Sequence, residues 1–115
     1  PGVESAPAAP AFISASDGNY TEKITLNWGS VSGATRYTAF RCTTTATNTC
    51  SEIYSGSGTH YDDTTAALET TYYYRVQACN TYCSGYSNYD PGYRTVDVSN
   101  IFPLSIPLLL LKEVD

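Results

Sequence analysis

The stretch KITLNWGSV, residues 23–31, sets Ile24, Leu26 and Trp28 at every second position, with Thr25 and Asn27 between them. A period of two marks a strand buried on one side, because successive side chains of an extended chain point to opposite faces. The alternation returns in TRYTAFRC, where Tyr37, Ala39 and Arg41 share one face and Thr38, Phe40 and Cys42 the other. It is longest in TYYYRVQAC, which puts Tyr72, Tyr74, Val76 and Ala78 inward and Tyr73, Arg75 and Gln77 outward. Shorter pieces complete the series. FISASDGNY is broken by the turn residues Asp17-Gly18-Asn19, CSEIYSG ends at Gly56 and Gly58, and THYDDTTAAL reads as a short strand and a corner. The last strand is predicted within SGYSNYDPGYRTVDV, with an irregular edge at Pro91-Gly92. No window keeps the apolar period of about 3.6 residues over a helical length. Seven short strands with turn signals at roughly 8 to 12-residue intervals predict an all-β sandwich.

The two ends break this pattern. Residues 1–11 carry Pro1, Pro7 and Pro10 among small residues, the composition of an extended lead-in, and residues 12–98 form the domain. Residues 99–115 are an apolar C-terminal extension that includes Ile101, Phe102, Leu104, Ile106, Leu108, Leu109, Leu110 and Leu111. A membrane helix needs about 20 apolar residues, and this run is shorter and interrupted by Pro103 and Pro107, so no membrane span is expected. One reading makes it the loose start of a following domain. The other starts from the cost of leaving it in water, since burying one leucine is favourable by roughly 2 kcal/mol. An extended apolar ribbon satisfies its backbone by adding to the sheet edge of a neighbour and its side chains by filling that neighbour's grooves. Copies joined head to tail in this way form a filament, so residues 99–112 are expected to be a subunit interface of a homopolymer.

Composition narrows the classes. A chain of 115 residues has room for one sandwich core. Charged residues make up 15%, the formal net charge is -5, and the basic residues Lys23, Arg36, Arg41, Arg75, Arg94 and Lys112 are scattered, which excludes a nucleic-acid footprint. There is no Met, and no leader precedes PGVESAPAAP, so the chain reads as a processed or excised piece of a secreted precursor. Four cysteines in a chain this short imply two disulfides and an oxidising, extracellular setting. Cys42 and Cys50 bracket one hairpin, Cys79 and Cys83 one tight turn, and neither spacing is that of a zinc site.

Candidate chemistry is sparse. His60 stands beside Asp62 and Asp63, but a strand-edge histidine next to turn aspartates is usually solvated, and the expectation is a non-catalytic protein with no cofactor. Asp17, Asn19, Asp62 and Asp63 offer oxygen atoms without the ladder of acidic positions that a calcium loop needs, so no metal is expected. Tyrosine is the unusual component at eleven residues, with Tyr82, Tyr86, Tyr89 and Tyr93 crowded near the end of the domain. Exposed rings stack on sugars, which makes these four candidate glycan contacts, and they also pack across strands. Asn19-Tyr20-Thr21 fits an N-glycosylation acceptor, and the loop from Thr43 to Thr49 offers hydroxyls for O-linked sugars.

ITLNW, VSGATRYTAFR, THYDD and TTYYYRVQACN followed by SGYS, in that order, resemble the fibronectin type III domain in the variety found on bacterial extracellular proteins. The resemblance runs from about Phe12 to Arg94 and implies an immunoglobulin-like sandwich of seven strands. It implies that Trp28 is a core residue of the second strand, Tyr37 an inward aromatic of the third, and Tyr72 the tyrosine of the corner. The sequence departs from the family in that corner, with Ala66 and LETT in place of Leu and Pro or Gly, and it lacks the RGD tripeptide, so an integrin-ligand role is not transferred. In the implied sandwich the third and sixth strands are antiparallel neighbours, which sets Cys42 and Cys79 on the order of 20 Å apart and pairs Cys42 with Cys50 and Cys79 with Cys83. Each short loop closed this way gains roughly 2–3 kcal/mol and resists proteolysis at its tip. The resulting expectation is a non-catalytic extracellular structural or adhesive module that polymerises through its tail. The alternative is a carbohydrate-binding or spacer module beside neighbouring domains of a larger secreted protein.

Overall fold

The alternating segments become strands whose apolar positions meet between two sheets. The computed structural model describes residues 5–96. In chain order the strands are β1 (Ile13–Ala15), β2 (Ile24–Trp28), β3 (Arg36–Cys42), β4 (Cys50–Gly56), β5 (His60–Asp63), β6 (Tyr72–Cys79) and β7 (Asp90–Gly92), with a 3-10 turn at Thr47–Thr49. Antiparallel pairing gives a three-stranded sheet in the order β1-β2-β5 and a four-stranded sheet in the order β4-β3-β6-β7.

Ile13, Ala15, Ile24, Leu26 and Trp28 of the first sheet face Tyr37, Ala39, Tyr74, Val76 and Ala78 of the second, and all are buried. Ile24, Leu26 and Val76 are wholly removed from water, each a gain of about 2 kcal/mol. Trp28 packs between Tyr37, at 6.1 Å between ring centroids, and Tyr54, at 5.9 Å. Ahead of β6, the Tyr72 hydroxyl accepts the backbone N–H of Ala67 at 3.2 Å, closing the corner that the resemblance implies. Ala66 is buried where the family has a larger residue, and Glu69 takes a left-handed φ of 54° where the corner favours glycine.

The last strand is irregular, as expected at Pro91-Gly92. Only Asp90–Gly92 pairs regularly with β6. Before it, Ser84 and Ser87 use their hydroxyls as ladder acceptors, taking the N–H groups of Ala78 at 3.0 Å and Val76 at 2.9 Å, while their own N–H groups donate to the carbonyls of the same residues. After it the chain changes sheets: Tyr93 N donates to Ser16 O, Gly18 N to Tyr93 O and Thr95 N to Tyr20 O. Pro91 has no N–H to donate, which suits a short edge strand, and Gly92 permits the crossing. A Cβ there would lie 2.7 Å from Ala15 Cβ and 3.0 Å from Ile24 Cγ2.

Candidate functional site

The ladder registers place Phe40 opposite Arg75 on β6 and opposite Glu52 on β4, and Thr38 opposite Gln77 and Ser55. These residues, with Arg36 and Tyr73, stand on the face of the four-stranded sheet turned away from the core. The segment held by Ser84 and Ser87 brings two further rings to this face. Phe40 and Tyr86 meet edge to face at 5.0 Å, and Tyr73 and Tyr89 do the same at 5.4 Å. Arg75 is held among them: Nη1 donates to Ser87 O at 3.0 Å, Nη2 to Thr45 O at 2.8 Å, and the guanidinium lies 5.2 Å from the Tyr89 ring centroid. Loop 43–49 and segment 84–89 thus converge on one arginine, and Thr38 and Cys42 are buried although they point away from the core.

A second cluster lies at the corner end of the sandwich. Asp63, with no exposed surface, accepts from Tyr74 Oη at 2.7 Å, Arg41 Nη1 at 3.0 and 3.1 Å, Thr65 N at 3.1 Å and Thr65 Oγ1 at 3.0 Å. Burial alone would push this carboxyl up. The hydrogen bonds from Tyr74, Thr65 and Arg41 outweigh it and hold Asp63 below the usual carboxylate range. Burial and then the same hydrogen bond push the Tyr74 phenol far up, so it stays a donor at every physiological pH.

No family model matches the chain, and no curated protein does. Among solved structures, it is similar to an Fn3-like protein from Clostridium thermocellum at 30% identity and a TM-score of 0.69, over 78% of this chain and 95% of that one. The chain belongs to the fibronectin type III family. The fold is shared with the sixth fibronectin type III domain of a human protein containing such domains, at 19% identity and a TM-score of 0.64, over 82% of this chain and 91% of that one. It is shared also with part of a β-1,2-glucanase chain from Parabacteroides distasonis, at 20% identity and a TM-score of 0.65, over 79% of this chain and 13% of that one. The fold thus occurs as one module of larger proteins.

Within this fibronectin type III domain the four tyrosines singled out from the sequence separate. Tyr86 and Tyr89 join the aromatic face, whereas Tyr82 is exposed on the Cys79–Cys83 turn and Tyr93 lies over Gly18 at the crossing between sheets. Phe40, Tyr73 and Arg75 belong to the face and were not expected there as a site; the signal was their shared outward parity on β3 and β6. Disulfides join Cys42 to Cys50 and Cys79 to Cys83. Asn19 is exposed, with Oδ1 accepting the N–H of Asp17 at 3.2 Å, and Thr43 to Thr47 are exposed as well. His60 is an exposed edge residue, its Nδ1 3.1 Å from Asn27 Oδ1 and its Nε2 3.2 Å from Asp62 Oδ1. Asp62 is held below the usual carboxylate range, since the hydrogen bond from Thr25 and the charges of Lys23 and His60 outweigh its partial burial. Asp63, three residues on from His60, is buried in the cluster with Arg41 and Tyr74. Among the described residues no three His, Cys, Asp or Glu side chains form a group able to hold a metal, and no helix is long and apolar enough to cross a membrane. Ile101, Phe102, Leu104, Ile106 and Leu108 to Leu111 lie outside the described residues.

Proposed function

We propose that this fibronectin type III domain is a non-catalytic extracellular spacer and adhesive module that carries the chain from one pole to the other. The observation behind this reading is where the chain enters and leaves. Ser5 O accepts from Asn80 Nδ2 at 2.8 Å, beside the C-terminal end of β6. Arg94 is tied to Thr21 O at 2.7 and 2.9 Å and to Ala66 O at 2.8 Å, at the corner that precedes the N-terminal end of β6. The eight residues of β6 separate these points by about 25 Å. Residue 5 and residues 94–96 therefore stand at opposite poles of the sandwich, a placement that suits modules joined in series into an extended array.

Two full chains fused in tandem should show, by small-angle scattering, a maximum dimension about twice that of one. A compact side-by-side pair would overturn the reading. The extracellular part rests on the two disulfides, so native material should show no free thiol until it is reduced. The same pole-to-pole path favours, as a second reading, a head-to-tail filament joined through residues 99–112. Electron microscopy should show filaments of the full chain and none of a variant lacking residues 99–115; equal filaments from both would sink it.

A further inference from the structure

We propose that the outer face of the four-stranded sheet binds an acidic glycan, its sugar rings stacked on Tyr86 and Tyr89 and its carboxylates drawn to Arg36 and Arg75. The proposal does not depend on the spacer reading. The first support is the chemistry of the phenols. Tyr37, Tyr54, Tyr72 and Tyr74 each engage a protein partner through the hydroxyl. The hydroxyls of Tyr73, Tyr86 and Tyr89 have none among the described residues; those of Tyr20, Tyr61, Tyr82 and Tyr93 have none either, but the edge-to-face pairs among the described residues are both on this face, and Tyr89 is 42% exposed. Each ring therefore offers an apolar face and a free hydroxyl at its rim, which matches a pyranose with its C–H face and its belt of hydroxyl groups.

Rigidity is the second support. In an edge-to-face pair only one of the two rings has a face covered by the other, and both pairs here are of that kind. Arg75 is anchored to Ser87 O, Thr45 O and Tyr89, so little side-chain freedom remains to be lost when a ligand arrives.

Charge identifies the occupant. The face bears Arg36, Arg75 and one carboxylate, Glu52, a net positive surface on a chain of net charge -5. The ion pairs of the described residues, Lys23–Asp62, Arg41–Asp63 and His60–Asp62, all lie elsewhere, which leaves the two arginines of this face without carboxylate partners. Free phenols and unneutralised guanidinium groups among sugar-sized rings fit a uronic-acid oligosaccharide better than a neutral sugar.

The test is calorimetric titration of the full, disulfide-intact chain with a uronic-acid hexasaccharide, a glucose hexasaccharide and a polyproline peptide. The acidic sugar should bind, more weakly as salt rises, and roughly fivefold to tenfold more weakly after Tyr89→Ala or Tyr86→Ala. Tyr89→Phe, which keeps the ring, should retain most of the affinity and unfold at an unchanged temperature, and Tyr82→Ala and Tyr93→Ala should bind as the parent does. Arg36→Gln should lower affinity for the acidic sugar. Absence of binding, equal affinity for the glucose hexasaccharide, displacement by polyproline, or loss of binding in Tyr82→Ala or Tyr93→Ala in place of Tyr89→Ala would each overturn the proposal.

Discussion

Asp63 is the most consequential polar residue of the sandwich, and its removal has a size that the structure sets. Asp63→Asn keeps the shape, deletes the charge, and leaves one acceptor oxygen where Tyr74, Arg41 and Thr65 now share two. Breaking a fully buried ion pair costs about 3–5 kcal/mol. The Arg41 side chain is 24% exposed, so water recovers part of its solvation, and the expected loss is about 2–4 kcal/mol. Tyr74→Phe removes only the 2.7 Å bond to the carboxylate and should cost about 2 kcal/mol. Because both changes act on one bond, the double variant should fall short of the sum by about 1–2 kcal/mol. Urea unfolding followed by the single tryptophan, Trp28, which is buried in the core, reads each loss as a drop in midpoint of about 1–2 M at constant slope. The pH dependence carries the sign. With its pKa depressed in the folded state, Asp63 contributes its full stabilisation above the unfolded value of about 3.9 and loses it as pH falls through the folded value. Asp63→Asn should therefore flatten the acid limb of the stability curve. Additive losses within 0.5 kcal/mol, or an acid limb unchanged by the substitution, would refute the assignment of Asp63 as the ionised hub; 0.5 kcal/mol is about the limit for independent sites.

Three smaller predictions follow from the same contacts. Gly92→Ala forces a methyl group to within 2.7 Å of Ala15 Cβ and 3.1 Å of Ser16 O, so thermal unfolding should show a loss of about 1–3 kcal/mol, and a neutral result would mean β7 crosses β1 less closely. Glu69→Gly relieves the left-handed φ of 54° and should raise stability by about 0.5 kcal/mol after the added freedom of the unfolded chain is subtracted; a lower melting temperature would show that Glu69 contributes a compensating contact. Ser87→Ala strips the acceptor from Val76 N and should cost about 1–3 kcal/mol, with hydrogen exchange at the Val76 amide accelerated beyond the global change; uniform exchange would contradict a local ladder role.

The strands of the core were legible because the apolar positions of β2, β3 and β6 recur at every second residue, which sets Ile24, Leu26, Ala39, Tyr74 and Val76 on inward faces, even though Thr38, Cys42 and Cys79 of the outward parity are buried as well. The last strand was legible only in outline. Pro91-Gly92 announces an irregular edge, but that two serine hydroxyls stand in for backbone acceptors depends on the spacing of Ser84 and Ser87 against Ala78 and Val76, a relation between segments that no local window contains. The aromatic face was half visible for the same reason. Crowding in sequence picked out Tyr82, Tyr86, Tyr89 and Tyr93, whereas proximity in space follows strand parity, which draws in Phe40 and Tyr73 and leaves Tyr82 and Tyr93 apart.

Asp63 shows what a reading within one segment leaves open and a relation between strands decides. THYDDTTAAL reads as a short strand and a corner, and the register sets Asp63 opposite Ile24 and Tyr61 opposite Leu26, so Asp63 has the parity of the core. The signal that decides the matter lies in β3, where the inward series Tyr37, Ala39 runs on to Arg41. An inward guanidinium cannot be left unpaired at the cost of burying a lone charge, so the alternation of one strand demands an anion of inward parity on a facing strand. Among the carboxylates of β5, Asp63 alone meets that demand, and Tyr74, inward on β6, supplies the donor for the oxygen surface that one arginine leaves uncovered. Parity carried across strands, and not the pattern read within one, is what separates a structural ion from a surface one in a sandwich of this kind.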